Sequence, residues 1–235
     1  MSASTASQPN GLARQPSQTL VASIEEFVQE YMSHYDASHD YKHIQRVLGL
    51  AQNVLEKERA RSSTSSSSSV TSTQIQYDES LVTLGALLHD VGDKKYLEPG
   101  QDANTLVRDT LLERGASSLL ADKVQDLVLH VSFSTEKKDP QKIQEKIASI
   151  PELAIVQDAD RLDAIGAVGI ARCFTFGGAK GRGNGLDGAI EHFEEKLELL
   201  EGMMKTETGK ALAKERTERL KIFRGWWESE NQGLS

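Results

Sequence analysis

The stretch Leu84-Gly85-Ala86-Leu87-Leu88-His89-Asp90-Val91-Gly92-Asp93-Lys94-Lys95 constrains this chain more than any other. An apolar run ends in an adjacent His and Asp, and an acid and two lysines follow at once. Polar side chains at the edge of a core cost free energy unless they find partners, so the pair needs a purpose. A divalent metal would supply one. Imidazole nitrogen and carboxylate oxygen together suit Mn, Fe, Co, Ni or Zn better than Ca. Such a centre requires a fold that carries further ligands to the end of one buried segment.

The remaining pattern is helical. From Leu20 to His34, Ile24, Phe27, Val28 and Tyr31 recur at helical spacing. A second helix follows Ser38-His39-Asp40, striped by Ile44, Val47, Leu48, Ala51, Val54 and Leu55, with His43 and Arg46 three apart on a neighbouring face. The organising stretch ends a third helix that begins near Ser80. Asp102 is expected to cap a helix ending near Gly115, and Ser117 or Ser118 another, which carries His130. Charged residues 134–140 read as a loop, and Pro151 suits the first turn of the next helix. On that helix Ile155, Ala159 and Leu162 form one face, and Gln157, Asp160 and Asp163 or Ala164 another. A short apolar segment, Ile165 to Phe176, leads into Gly177 to Gly185, where five glycines in nine residues argue against helix. Two helices close the chain, one striped by Ile190, Phe193, Leu197, Leu200 and Met204, the other marked by Leu212, Leu220, Phe223 and Trp227. No segment alternates with period two over a β-branched run, so the expected fold is all-α.

A chain of 235 residues suits one domain. Residues 1–19 lack the apolar surface to order themselves and read as a disordered tail, leaving 20–230 as the domain. Residues 61–76, rich in serine, read as a flexible insertion within it. Net charge is −8 and the pI about 5.3, which argues against partners such as polymeric nucleic acid or anionic membrane. The single Cys173 excludes an intramolecular disulfide. No apolar run approaches the roughly 18 residues of a membrane span, and no signal peptide is visible. The expected location is the cytoplasm, with the nucleus left open, and a homodimer is left open as well.

The His-Asp pair does not stand alone. Ser38-His39-Asp40-x-x-His43-Ile44-x-Arg46-Val47, Leu87-Leu88-His89-Asp90-x-Gly92-Asp93-Lys94 and Ala159-Asp160-Arg161-Leu162-Asp163 resemble, in order, the three motifs of the HD superfamily of metal-dependent phosphohydrolases. The Gly-rich segment and His192-Phe193-x-x-Lys196-Leu197 resemble the C-terminal part of a small nucleotide-hydrolase branch, so the likeness covers roughly residues 22–225. It implies a helical HD-domain bundle and one divalent ion held by His43, His89, Asp90 and Asp160. Asp158 rivals Asp160 for the fourth place. Mn2+ or Mg2+ heads the choice of ion, followed by Co2+, Ni2+, Fe2+ and Zn2+. Asp93 matches the position that orients or deprotonates the attacking water, and equally suits a solvated acid near a helix end.

Arg46, Lys94 and Lys95 are of the type that balances polyphosphate charge. His130 reads as a phosphate contact or a satisfied core histidine. Lys180 and Arg182 in the glycine segment read as a phosphate cradle or a linker. His192 and Lys196 face the pocket or a neighbouring subunit. The implied reaction cleaves a (deoxy)nucleoside triphosphate to monophosphate and pyrophosphate. A nucleoside monophosphate phosphatase, a di-iron oxygenase on the same scaffold and a non-catalytic metal-stabilised module are the alternatives. The di-iron centre would need further histidines between His89 and Asp160, where only His130 lies.

Overall fold

The computed structural model describes residues 17–35, 39–64, 75–93, 97–180 and 185–232. It is all-α, and no strand occurs among the described residues. Eleven α-helices follow one another there: α1 (Gln18–Met32), α2 (Tyr41–Thr64), α3 (Glu79–Leu88), α4 (Leu106–Glu113), α5 (Ser118–Val128), α6 (Phe133–Lys138), α7 (Pro140–Ser149), α8 (Glu152–Asp163), α9 (Gly166–Lys180), α10 (Asp187–His192) and α11 (Glu207–Glu230). Between the last two, the chain passes through a π-helical turn, Phe193–Leu197, and a 3-10 segment, Glu198–Met203. Among the described residues no single helix is long and apolar enough to cross a membrane.

Two helices form the interior. Every residue of α3 from Ser80 to Leu88 is buried, and so is most of α8. A helix that is apolar on all sides must be covered on all sides. α1 and α5 pack on α3 with Ile24, Val28 and Leu127, and α4 packs on α5, its Leu111 joining the same apolar cluster. α2 and α11 pack on α8 with Val47, Val54 and Leu220, and Phe193 of the π-helical turn joins the same apolar cluster. Because α2, α3 and α8 pack on one another, His43, His89 and Asp160 are carried to one place. Gly85 allows that close packing: a Cβ there would meet Leu127 Cδ2 at 2.9 Å and Val156 Cγ2 at 3.3 Å. Asp78 caps α3 by accepting from Ser80 N at 2.8 Å.

The sequence pattern and the structure part company at several element ends. α1 begins at Gln18, inside the stretch expected to be tail, and α2 runs on to Thr64, into the serine-rich insertion; residues 65–74 lie outside the described residues. Asp102 precedes its helix rather than capping it: its carboxylate accepts from Asn104 N in a turn, and Thr105 takes the cap position of α4. Residues 133–138 are helix, not loop. Ser132 caps α6 by accepting from Thr135 N, Lys137 and Lys138 stand in its last turn, and Pro140 starts α7 at its first position. Pro151 stands just before α8 rather than in its first turn.

Gly177 and Gly178 are helical, within α9. Two glycines weaken a helix by roughly 2 kcal/mol. α9 offsets that with Phe174, whose ring centroid lies 6.3, 5.9 and 6.0 Å from those of Phe193, Phe223 and Trp227. Each such pair stabilises by roughly 0.5–1.5 kcal/mol beyond its buried area. The helix expected over residues 190–204 is broken by the π-helical turn, yet Phe193, Leu197, Leu200 and Met204 are all buried.

Candidate metal centre and its cavity

α3 ends at Leu88, and the chain turns through Gly92, whose φ of 84° is a backbone conformation that glycine adopts freely. That turn leaves His89 and Asp90 facing the N-terminal part of α2. His43 Nε2 lies 3.1 Å from His89 Nε2 and 3.4 Å from Asp90 Oδ2, and His89 Nε2 lies 3.5 Å from Asp90 Oδ1. From α8, Asp160 Oδ1 comes to 3.6 Å from His43 Nε2 and 3.7 Å from His89 Nε2.

Hydrogen bonding sets which nitrogens face the centre. His89 Nδ1 is 2.8 Å from the carbonyl of Ala86, which can only accept, so Nδ1 carries the proton. His43 Nδ1 is 2.8 Å from Asp163 Oδ2, and an ionised carboxylate likewise only accepts. When both rings are neutral, as metal ligation requires, each turns an Nε2 lone pair toward the other. Two lone pairs at that separation repel unless a cation lies between them. Asp90 Oδ2 adds a buried oxygen without a hydrogen-bond partner. His43, His89 and Asp90 offer ligand atoms that all lie within 4.8 Å of one another. Neighbouring donors around an octahedral ion with bonds of roughly 2.1 Å stand roughly 3 Å apart. The donor chemistry and the orphaned oxygen thus fit a divalent ion, and Asp160 is placed to join.

Electrostatics agree. Burial works against a charge on His43, but its hydrogen bond to Asp163 and the neighbouring Asp90 carboxylate outweigh burial and raise its pKa to about 9. Burial likewise opposes ionisation of Asp90 and of Asp163. The charges of His89 and His43 hold the first well below the usual carboxylate range, and hydrogen bonds from His43 and Arg46 hold the second there. The site is built to hold positive charge against carboxylates.

A cavity of about 530 Å³ opens over this cluster. That volume suits a small organic ligand. Asp93, Ser132, Phe133, Thr135, Arg172 and Lys196 are among its lining residues. The Lys196 ammonium lies 5.1 Å from the centroid of the Phe133 ring, in cation–π contact. His39 also lines it, with its ring edge-on to Phe176 at 5.7 Å.

The other residues singled out in the sequence fall in different places. Arg46 is committed to Asp163, donating Nε to Oδ1 at 2.7 Å and Nη2 to Oδ2 at 3.0 Å, and does not line the cavity. His130 is buried with Nδ1 on the carbonyl of Asp126 at 2.7 Å, away from the cavity, as a satisfied core histidine would be. It is not among the residues whose ligand atoms cluster. His192 lies near Glu195, at 3.9 Å, and does not line the cavity either. Lys94, Lys95, Arg182 and the side chain of Lys180 lie outside the described residues. Asp158 is fully buried on the far side of α8, where it accepts from Lys205 N at 2.9 Å, Thr206 N at 2.8 Å and Thr206 Oγ1 at 2.7 Å. Two residues the sequence reading left without a role, Asp163 and Arg172, are central. The available signals were the three-residue spacing of Asp160 and Asp163 on one helix, and Arg172 as the one charge in Ile165–Phe176.

Comparison with known proteins follows the same line. The HD domain model matches residues 40–165, which contain all of the clustered residues. A Bacillus subtilis protein, YpgQ, is 38% identical over 195 residues, covering 82% of this chain and 84% of its own. Its crystal structure in complex with ADP superposes with a TM-score of 0.69 at 34% identity, covering 92% of this chain and 100% of that one. An HD-superfamily hydrolase from Bacillus thuringiensis superposes with a TM-score of 0.62 at 28% identity, covering 90% of this chain and 97% of that one. The chain belongs to the HD domain family and is a metal-dependent phosphohydrolase.

Proposed function

We propose that the protein hydrolyses (deoxy)nucleoside triphosphates to the monophosphate and pyrophosphate, with one divalent ion, Mn2+ or Mg2+, held by His43, His89, Asp90 and Asp160. The observation that carries the substrate class is the similar Bacillus subtilis protein crystallised with ADP. The cavity supports it: its lining combines the carboxylates and imidazoles of the cluster with Arg172, Lys196 and the Phe133 ring. Cations answer phosphate charge.

When bound, the ion supplies Lewis acidity to a phosphoryl oxygen and acidifies water. The chain's own groups do the rest. Asp93, on the cavity wall three residues past Asp90, orients the attacking water and accepts its proton. The water oxygen bonds to the α-phosphorus, the α–β bridging bond breaks, and the bridging oxygen leaves with pyrophosphate. Arg172 and Lys196 counter the charge of the phosphates.

The test is a metal-stripped, reconstituted activity panel. Mn2+, Mg2+, Co2+ and Zn2+ are paired with nucleoside mono-, di- and triphosphates, and phosphate and pyrophosphate are scored separately. The expected result is pyrophosphate release from triphosphates, abolished in His89→Ala and Asp90→Ala. Phosphate released from monophosphates instead would move the enzyme to the nucleotidase class.

A further inference from the structure

Arg172 reaches from α9 into the cavity that holds the His43–His89–Asp90 cluster, and a buried carboxylate anchors it there. Its Nη1 donates to Asp163 Oδ2 at 3.0 Å. The same Oδ2 lies 2.8 Å from His43 Nδ1 and accepts Arg46 Nη2 at 3.0 Å, while Oδ1 accepts Arg46 Nε at 2.7 Å. Asp163 is 1% exposed, so this junction is inaccessible to water. One oxygen thus joins a cluster imidazole to a cavity guanidinium.

The three partners are not equivalent. Arg46 meets the carboxylate with two donors, the stronger and more directional arrangement. Two guanidinium groups thus meet one carboxylate. Arg172 is the one of them on the cavity wall. Its side chain is 15% exposed, against 36% for Arg46, so it meets a cavity anion in a largely dry setting where charge-assisted hydrogen bonds are strong. A guanidinium has five N–H donors in a planar fork, so a bond to Asp163 along one edge is compatible with phosphate oxygens along another.

We infer that Arg172 is the residue that receives the substrate's phosphate oxygens, and that Asp163 is a positioning residue that holds Arg172 at a fixed offset from His43. The inference rests on the reading of the cavity as the phosphate site. Asp163 then has two effects at once: it orients an imidazole of the metal cluster, and it places the cation that must meet the phosphate beside that cluster. A shift of Asp163 would displace both, because the two share one of its atoms.

The experiment measures binding rather than turnover. Inorganic pyrophosphate is titrated into the manganese-loaded protein by calorimetry, alongside a manganese titration of the stripped protein. Arg172→Ala should weaken pyrophosphate by about tenfold or more and leave manganese affinity unchanged. Arg172→Lys keeps the charge without the fork, so its pyrophosphate affinity should fall between the two, and it carries the test if Arg172→Ala does not fold. Asp163→Asn should weaken manganese by about 10–100-fold and pyrophosphate as well. Pyrophosphate that binds Arg172→Ala as tightly as wild type, or does not bind wild type at all, overturns the assignment of Arg172. Loss of manganese affinity alone in Asp163→Asn overturns its positioning of Arg172. Failure of wild type to turn over nucleoside triphosphates while these binding differences stand would sink the substrate assignment and leave Arg172 in place.

Discussion

At the scale of single residues, three aspartates on α8 share a helix and differ in everything else. Asp158 and Asp160 are two residues apart, roughly 200° around the helix, so they point in nearly opposite directions. Asp158 is buried against Lys205 and Thr206, where it organises the start of α11. Asp160 lines the cavity, and Asp163, one turn on, is the buried junction of His43, Arg46 and Arg172. Asp93 is the remaining acid on the cavity wall, and its role as the water-orienting group is open to a clean test. Asp93→Asn keeps shape and removes the proton acceptor. We expect kcat with nucleoside triphosphates to fall by about 10²–10⁴, with manganese binding by calorimetry unchanged. A rate equal to wild type would assign Asp93 to the solvated surface.

At the scale of elements, the cavity wall is tied to the helix that carries Asp160 and Asp163 by a buried ionic network. Glu136 of α6 accepts from Arg161 Nη2 at 2.6 Å and from Lys205 Nζ at 2.9 Å; Arg161 also donates to the carbonyl of Met203 at 3.0 Å. Arg161 is the residue after Asp160, so the same turn of α8 faces the cavity on one side and clamps α6 on the other. Removing one member of a buried pair leaves its partners uncompensated, which typically destabilises by about 3 kcal/mol or more. Burial opposes ionisation of Glu136, but the hydrogen bond from Lys205 and the charge of Arg161 prevail and lower its pKa below the ordinary 4.5. A depressed carboxylate contributes stability above its unfolded pKa and loses it as pH falls through the folded value. Glu136→Gln should therefore be less stable than wild type by about 3 kcal/mol at neutral pH in urea unfolding, and the gap should narrow as the pH drops below 4.5. A gap independent of pH would show that the network acts by packing alone.

At the scale of the whole molecule, the cluster draws on helices distant in sequence. His43 comes from α2, His89 and Asp90 from the end of α3, and Asp160 from α8. An ion bound there ties these helices together only in the folded state, so binding adds to stability. Manganese at a hundred times its Kd should stabilise the protein by about 2.7 kcal/mol. For a domain of this size that corresponds to a rise of about 5–10 °C in Tm, read by thermal scan with and without chelator. The rise should vanish in Asp90→Ala. A Tm indifferent to manganese in wild type would place the ion elsewhere.

The sequence by itself determined the helical class, the apolar stripes of α2 and α11, and the His-Asp pair at the end of a buried helix. Each of these is local: periodicity and adjacency are written in consecutive residues. The likeness of three motifs in order carried the metal chemistry further than any one of them would. Tertiary structure decided what depends on distant partners. Asp163 became a junction because α2 and α9 bring two arginines and an imidazole to it. The glycines of α9 stayed helical because the aromatic rings of the C-terminal helices hold that segment. Arg46 and His130 were drawn away from the cavity by Asp163 and Asp126. Residue type and spacing along one strand of chain cannot encode such choices, because a buried charge takes whichever partner the packing of separate helices puts within hydrogen-bond reach.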